Sequence, residues 1–321
     1  MRLIIIALTG LLGVLAPLRA YALDYPNHTV RVIIPFTAGG APDVLMRLVG
    51  QKLAEKWGEG VVIENRAGGN TLIGTTAAAK SAPDGYTLFL AADQTFVLNP
   101  LLYGSLPYSM KEFEPIVIVA SVPHMLAVAN KVPASTVKEL VALAKAKPNT
   151  ITYGTTGPGT IQRIATEYFS SIVGVKLLQV PYKGANETTT AILAGEIDMT
   201  INGMSNILPH MQSGKLKALA ISTAKRNPLA PNVPTMQEAG VTGYTSQGTF
   251  GLFAPAGTPR EIIDKVHVDV AAVLAMPDVK KALEARSFVI GGEGPPEFEK
   301  FIAEETVKWR KVINDAHIKI N

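Results

Sequence analysis

Cysteine is absent from all 321 residues. That excludes disulfides, thiol nucleophiles and Cys-ligated metals together, and with them the lipid-modified cysteine that would tether an exported protein to a membrane face. Charge is sparse: Asp, Glu, Lys and Arg make up 17% of the chain and are spread singly. With no basic patch there is no electrostatic footprint for nucleic acid. The five histidines, His28, His124, His210, His267 and His317, stand apart without metal-ligand spacing and read as surface or satisfied structural residues. The chain has no Gly-x-Ser-x-Gly elbow and no His-Glu-x-x-His helix. It also has neither a Walker loop nor the dinucleotide glycine fingerprint. A Ser/His/Asp set assembled only in three dimensions stays open at this level. No cofactor and no metal is expected.

Long apolar runs are missing too, with one exception. Arg2 precedes an apolar run from Leu3 to Leu18, broken only by Thr9, Gly10, Gly13 and Pro17, and Ala20-Tyr21-Ala22 follows. A positive start, a short apolar stretch and a small-x-small site make a secretory signal, with cleavage expected after Ala22. A retained anchor is the alternative, but the run is shorter than the roughly 20 residues that span a bilayer. Cleavage removes Arg2 and Arg19, taking the formal charge from +4 to 4 − 2 = +2. An exported chain with no tether is held only where a second membrane encloses it, so the expected address is the Gram-negative periplasm. The roughly 300 residues that remain exceed what one core usually supports, and two lobes are expected.

What is present alternates between short apolar strands and amphipathic helices, an α/β pattern with mainly parallel sheets. Strands are expected at 30–36, 61–64 and 86–91, with helices at 42–56 and 71–80. Two strand-like runs, 116–119 and 125–128, are separated by Pro123. A second series has strands at 151–154, 175–180, 199–202 and 218–222 and helices at 137–146, 161–173 and 188–194. The last portion opens with Thr249 to Phe253 and ends in helices at 260–275 and 297–314. This order predicts a signal at 1–22, a lobe built from 23–124 and 246–321, and an inserted lobe at 125–245. Two chain crossings near 121–126 and 243–250 form the expected hinge.

Each half opens with the same local device. In Pro35-Phe36-Thr37-Ala38-Gly39-Gly40-Ala41-Pro42-Asp43 a strand ends, glycines let the chain turn tightly, and Pro42 opens a helix. Tyr153-Gly154-Thr155-Thr156-Gly157-Pro158-Gly159-Thr160 repeats it with three hydroxyls. Helix N-termini expose unpaired N–H groups and partial positive charge, so such turns can hold a carboxylate or phosphate. Ordinary strand-to-helix loops, with Asp43 complementing the helix dipole, are the other reading.

Several segments together resemble one known family, the tripartite tricarboxylate transporter substrate-binding proteins, often called the Bug family. They are 32–40 with Asp43, Val62-Ile63-Glu64-Asn65-Arg66-Ala67-Gly68-Gly69, Pro83-Asp84-Gly85-Tyr86-Thr87-Leu88 and Val180-Pro181-Tyr182-Lys183-Gly184. Leu193-Ala194-Gly195-Glu196-Ile197-Asp198, Val233-Pro234-Thr235-Met236-Gln237-Glu238-Ala239-Gly240 and Phe253-Ala254-Pro255-Ala256-Gly257-Thr258-Pro259 complete the set, in order along nearly the whole chain. The resemblance implies a type II periplasmic-binding-protein fold closing on a small organic carboxylate, with inner-membrane permease subunits as partners and a monomer as the working unit. It implies a first-turn site at Phe36, Thr37, Ala38, Gly39 and Gly40, with Asp43 beside it and Asp93 in a 92–99 loop lining the cleft. The inserted lobe would add Thr155, Thr156, Gly159 and Thr160, with Tyr182 and Asn202 nearby. Many relatives carry His-Leu where this chain has Arg163-Ile164. Arg163 either pairs with a second acidic group on the ligand or faces solvent. An exported hydrolase or transferase, or a ligand-sensing module, are the alternative functions.

Overall fold

The computed structural model describes residues 24–157 and 159–318. The signal segment at 1–22 and Pro158 of the second glycine turn lie outside the described residues. Strand β1 (Val30–Ile34) leads through the first glycine turn into α1 (Ala41–Trp57), β2 (Val61–Asn65), α2 (Leu72–Ala79) and β3 (Thr87–Ala92). β1 lies between β2 and β3 and is parallel to both. α1 stops at Gly58, whose left-handed φ of 73° lets its N–H return to Ala54 O. A π-helical turn at Gln94–Leu98 follows, then α3 (Asn99–Leu102) and the long strand β4 (Phe113–Ala129).

The inserted series runs α4 (Val137–Ala146), β5 (Thr152–Thr155), α5 (Ile161–Val173), β6 (Leu178–Pro181), α6 (Ala185–Ala194), β7 (Met199–Gly203), α7 (Met204–Gln212) and β8 (Leu216–Ile221). The chain returns along β9 (Gln247–Pro255) and finishes with α8 (Arg260–Leu274), α9 (Pro277–Glu284), β10 (Val289–Ile290) and α10 (Pro295–Asp315).

Two expectations are corrected. The runs on either side of Pro123 are one 17-residue strand. Proline cannot donate to a ladder, and here it sits where β4 changes partners. Pro123 ends the pairing with β9 opposite Gln247, and His124 begins the pairing with β7 opposite Gly203. The sheets are also mixed rather than mainly parallel. β9 lies antiparallel to β3 and β4, and β4 lies antiparallel to β7, β8 and β10. Strands that carry the chain out to the second lobe and back run side by side in opposite directions. α7 and α9 were not expected: Pro209 falls inside α7 and obscures its pattern, and Pro277 opens α9 two residues after α8 is capped.

The first sheet is covered on both faces, and its side chains divide by strand parity. Val32 and Leu88 face one core with Leu45, Val49, Val266 and Val270. Ile33 and Phe89 face another with Phe96, Phe253, Phe298 and Trp309. That second core also takes in Ile161 and Ile164 of α5, so α10 packs against the inserted lobe. The second sheet has its own core around Leu126, Tyr153, Phe169, Met199, Ile201 and Tyr244.

Candidate ligand-binding cleft

Between the two sheets lies a cavity of about 430 Å3, walled by residues of both lobes. Five helices begin on its wall. α1 and α2 open there from the first lobe through Gly40, Ala41, Asn70 and Thr71. α5, α6 and α7 open there from the second lobe through Thr160, Ile161, Gly184, Ala185, Gly203 and Ser205. None of the five has a side-chain cap bonded to its first turn. Apart from the Leu72 N–H of α2, which donates to Gly69 O at 3.1 Å, their first-turn N–H groups carry no such cap, and their positive dipole ends lie at the cavity. Asp43 and Glu187, in the first turns of α1 and α6, partly offset that field.

The residues singled out from sequence fall into two sets. Phe36, Thr37, Gly40, Asp93, Thr156, Thr160 and Asn202 line the cavity. Ala38 and Gly39 are exposed at the tip of the first turn, where Gly39 has φ of 79°. Asp43 points back into that turn: it accepts the Gly39 N–H at 2.8 Å and Arg47 Nε at 3.0 Å. Burial opposes its charge but is outweighed by Arg47 and the Gly39 amide, which hold the carboxyl below the usual carboxylate range. Thr155 is fully buried, its hydroxyl accepting from Gln179 and its carbonyl from the Tyr182 N–H at 2.8 Å. Tyr182 packs over Gly154, where a Cβ would stand 2.5 Å from Ile197 Cδ1 and 2.6 Å from Thr188 Cγ2. Gly159 is buried behind Thr160. Arg163 is half-buried on α5 beside the Tyr153 hydroxyl, which donates to Glu167 at 2.5 Å. It is not among the residues that line the cavity.

Asn202 braces two of the helix starts. Its carbonyl oxygen accepts from Gly203 N at 2.7 Å and Asn206 Nδ2 at 3.3 Å, and its amide reaches Ala185 O at 3.4 Å. Asp93 is 2% exposed and forms part of the first-lobe wall. Its two oxygens accept the N–H groups of Gln94 at 2.8 Å and Thr249 at 3.3 Å. Burial, reinforced by Glu305, outweighs those bonds and raises its pKa to about 7.

Other wall residues were not singled out as contacts. Ala67, Gly68, Gly69, Asn70 and Thr71 all reach the wall. Gly68, Gly69, Asn70 and Thr71 carry φ of 125°, 57°, 54° and 74°, a run that costs strain at Asn70 and Thr71. Buried amides hold it: Gln94 Nε2 donates to Asn70 Oδ1 at 2.5 Å, and Asn99 Nδ2 donates to Asn70 O and Thr71 Oγ1, each at 3.1 Å. Lys183 is the one wall cation among the described residues. His124, read as a surface or structural histidine, is 2% exposed and lies on the wall, with Nδ1 2.7 Å from Ser246 Oγ. Burial, with Lys308 a lesser cause, pushes its pKa down to about 3, so the ring is neutral.

Two lobes joined through antiparallel strands, with a helix-walled cavity between them, define a type II periplasmic-binding-protein fold. The chain belongs to the tripartite tricarboxylate transporter family receptors, whose profile it matches over residues 45–318. It is 32% identical to the protein BugT of Bordetella pertussis over 310 residues, 96% of this chain and 94% of that one. Among solved structures it is similar to R. palustris Rpa4515 with adipate, at 33% identity and a TM-score of 0.88, covering 92% of this chain and 99% of that one. It is similar also to MatC from Rhodopseudomonas palustris with bound malate, at 28% identity and a TM-score of 0.83, covering 90% and 100%. The protein is a solute-binding receptor of this family and not an enzyme.

Proposed function

We propose that this receptor captures a small dicarboxylate between its lobes and hands it to an inner-membrane permease of the tripartite tricarboxylate type. The observation that carries the reading is the convergence of five uncapped helix N-termini on one cavity, two from the first lobe and three from the second. Such termini are anion sites, and a ligand with a carboxylate at each end satisfies both groups at once. Only a ligand that touches both lobes shifts the balance toward the closed form. The size of the cavity falls within the range of small-molecule sites. Adipate in Rpa4515 and malate in MatC are both dicarboxylates, which supports the class without choosing the member.

In this reading the signal is cut after Ala22, the lobes divide at 23–124 with 246–321 and at 125–245, and the mature receptor is a periplasmic monomer. Main-chain amides supply most of the anion contacts, at the first turn around Phe36 to Gly40 and at Thr156 and Thr160 opposite. The test is calorimetric titration of refolded, ligand-stripped protein with adipate, malate, succinate, glutarate and citrate, and with the monoacids hexanoate and benzoate. Binding of at least one diacid, tighter than either monoacid, is expected. Equal or tighter binding of the monoacids overturns the two-ended reading, and no binding of any acid overturns the carboxylate reading.

A further inference from the structure

We infer that His124 is a specificity-determining contact of the cleft, its imidazole Nε2 donating a hydrogen bond to the bound acid. The inference rests on the organic-acid reading of the cavity and adds to it a side chain that the glycine turns do not point to.

His124 lies on the cavity wall and is almost fully buried. Its main chain and Nδ1 are spoken for. Its N–H donates to Ser222 Oγ at 2.9 Å, its carbonyl accepts from Ser222 N at 2.9 Å, and Nδ1 meets Ser246 Oγ at 2.7 Å. Nε2 has no hydrogen-bond partner among the described residues. It stands beside Gly248, another wall residue, where an added Cβ would lie 3.7 Å away. Nε2 is not among the buried unsatisfied atoms, so it is open to the cavity, and a polar atom that opens onto a cavity without a protein partner is matched by what the cavity holds.

The ring is neutral and so carries one proton. When the Ser246 hydroxyl donates to Nδ1, that proton sits on Nε2 and faces the cavity. A carboxylate or hydroxyl oxygen of the ligand is then the natural acceptor, and the field of the bound anion favours this tautomer over the one that would aim a lone pair at it. Position sets the role. β4 leaves one sheet at Pro123 and enters the other at His124, so His124 sits at the pivot. A contact at the pivot moves little as the lobes rock, and it orients the ligand rather than driving closure. A site with such a donor discriminates against acids that lack an oxygen at this depth.

The test compares two substitutions that split the ring's functions. His124→Asn keeps an amide near the Nδ1 position and so preserves the bond to Ser246. His124→Gln reaches the Nε2 position and so preserves the contact with ligand. Each is titrated with whichever of adipate, malate, succinate, glutarate and citrate binds the unmodified protein, alongside thermal unfolding. The expected result is that His124→Gln binds within about threefold, while His124→Asn loses about tenfold or more, the size of a hydrogen bond to a charged group. The reverse order, or no loss in either variant, overturns the inference and leaves His124 a structural residue. If both lose affinity, the nitrogen-15 spectrum of His124 in the acid-bound protein decides. A proton on Nε2 supports the contact, and a proton on Nδ1 overturns it. Failure of every acid to bind the unmodified protein overturns the organic-acid reading and this inference with it, whereas failure of the variants alone touches only His124.

Discussion

The Trp309 indole meets the Tyr168 ring edge-on, with centroids 6.1 Å apart and planes at 76°. One ring belongs to α10, packed on the first sheet; the other belongs to α5, whose N-terminus opens onto the cleft. Tyr168 also stacks on Tyr244 and donates to Gly243 O at 3.0 Å, which ties α5 to the returning crossing. Closure of the lobes on a ligand, as proposed above, would shear this contact between α10 and α5.

Intrinsic fluorescence should therefore report closure. The chain has two tryptophans, and Trp57 is fixed within the first lobe by its bond to Asp269 at 2.8 Å. A ligand-dependent emission change is expected in the unmodified protein and in Trp57→Phe, and is expected to vanish in Trp309→Phe. Stopped-flow or steady-state emission with a bound diacid checks it. A change that survives Trp309→Phe would place the moving contact elsewhere.

The first turn separates folding from binding at adjacent glycines. Gly40 has φ of −74°, open to any residue, and an added Cβ meets only Thr37 O at 3.5 Å and Pro42 Cδ at 3.8 Å. Gly40→Val is expected to melt close to the unmodified protein while losing at least tenfold in affinity, since its side chain enters the cavity wall. Gly39 has φ of 79° with open space around its Cβ position. Gly39→Ala should cost about 1–2 kcal/mol through backbone strain alone. Thermal unfolding and calorimetry on the same samples separate the two effects.

Asp93 should leave a signature in the pH dependence of stability. Its folded pKa, about 7, lies above the ordinary aspartate value because burial disfavours the charge. Between about pH 4 and pH 7 the native state therefore holds a proton that the unfolded chain has released. The stability this gives is fully present at the acid end and is lost as pH rises through 7. By linkage it amounts to as much as about 4 kcal/mol. Denaturant titrations across pH 4–8 should show a steeper decline in the unmodified protein than in Asp93→Asn. The difference of slopes is the measure, because the amide also disturbs the bonds from Gln94 and Thr249 N–H. Identical slopes would mean that Asp93 is ionised throughout.

The strained 68–71 segment should depend on Asn99. That side chain is fully buried and donates to both Asn70 O and Thr71 Oγ1. Asn99→Ala strips partners from buried polar groups at a cost of about 1–3 kcal/mol and frees residues 70 and 71 to leave positive φ. Weaker binding should accompany the loss of stability. Urea unfolding and acid titration check both, and full affinity in the variant would show that the nest-like run does not touch the ligand.

Local sequence patterns carried much of this architecture. The apolar spacing of α1, α4 and α5 and the glycines that end α1, α5 and α6 lie in contiguous residues, so their ranges could be read directly. The two glycine turns were visible for the same reason. What escaped was decided by distant partners. Nothing local says that Asn70 and Thr71 adopt positive φ, since the amides holding them come from Gln94 and Asn99. Nothing near Pro123 says that one strand continues through it, because the exchange of β9 for β7 is tertiary. His124 sits among Val122, Met125 and Leu126, as a core residue would, and only the packing of both lobes puts its ring on the cavity wall. Arg163 likewise sits beside the Tyr153 hydroxyl, a partner ten residues away in sequence that helical spacing does not reveal.

The five open helix starts bear on how such a receptor changes over generations. A donor made of main-chain N–H survives almost any substitution of the side chain attached to it. Mutation at Thr37, Gln162 or Asn186 can reshape the walls and alter which carbon skeleton fits, while the preference for negative charge is retained. On the proposed anion-binding reading, drift in this scaffold explores one class of chemicals.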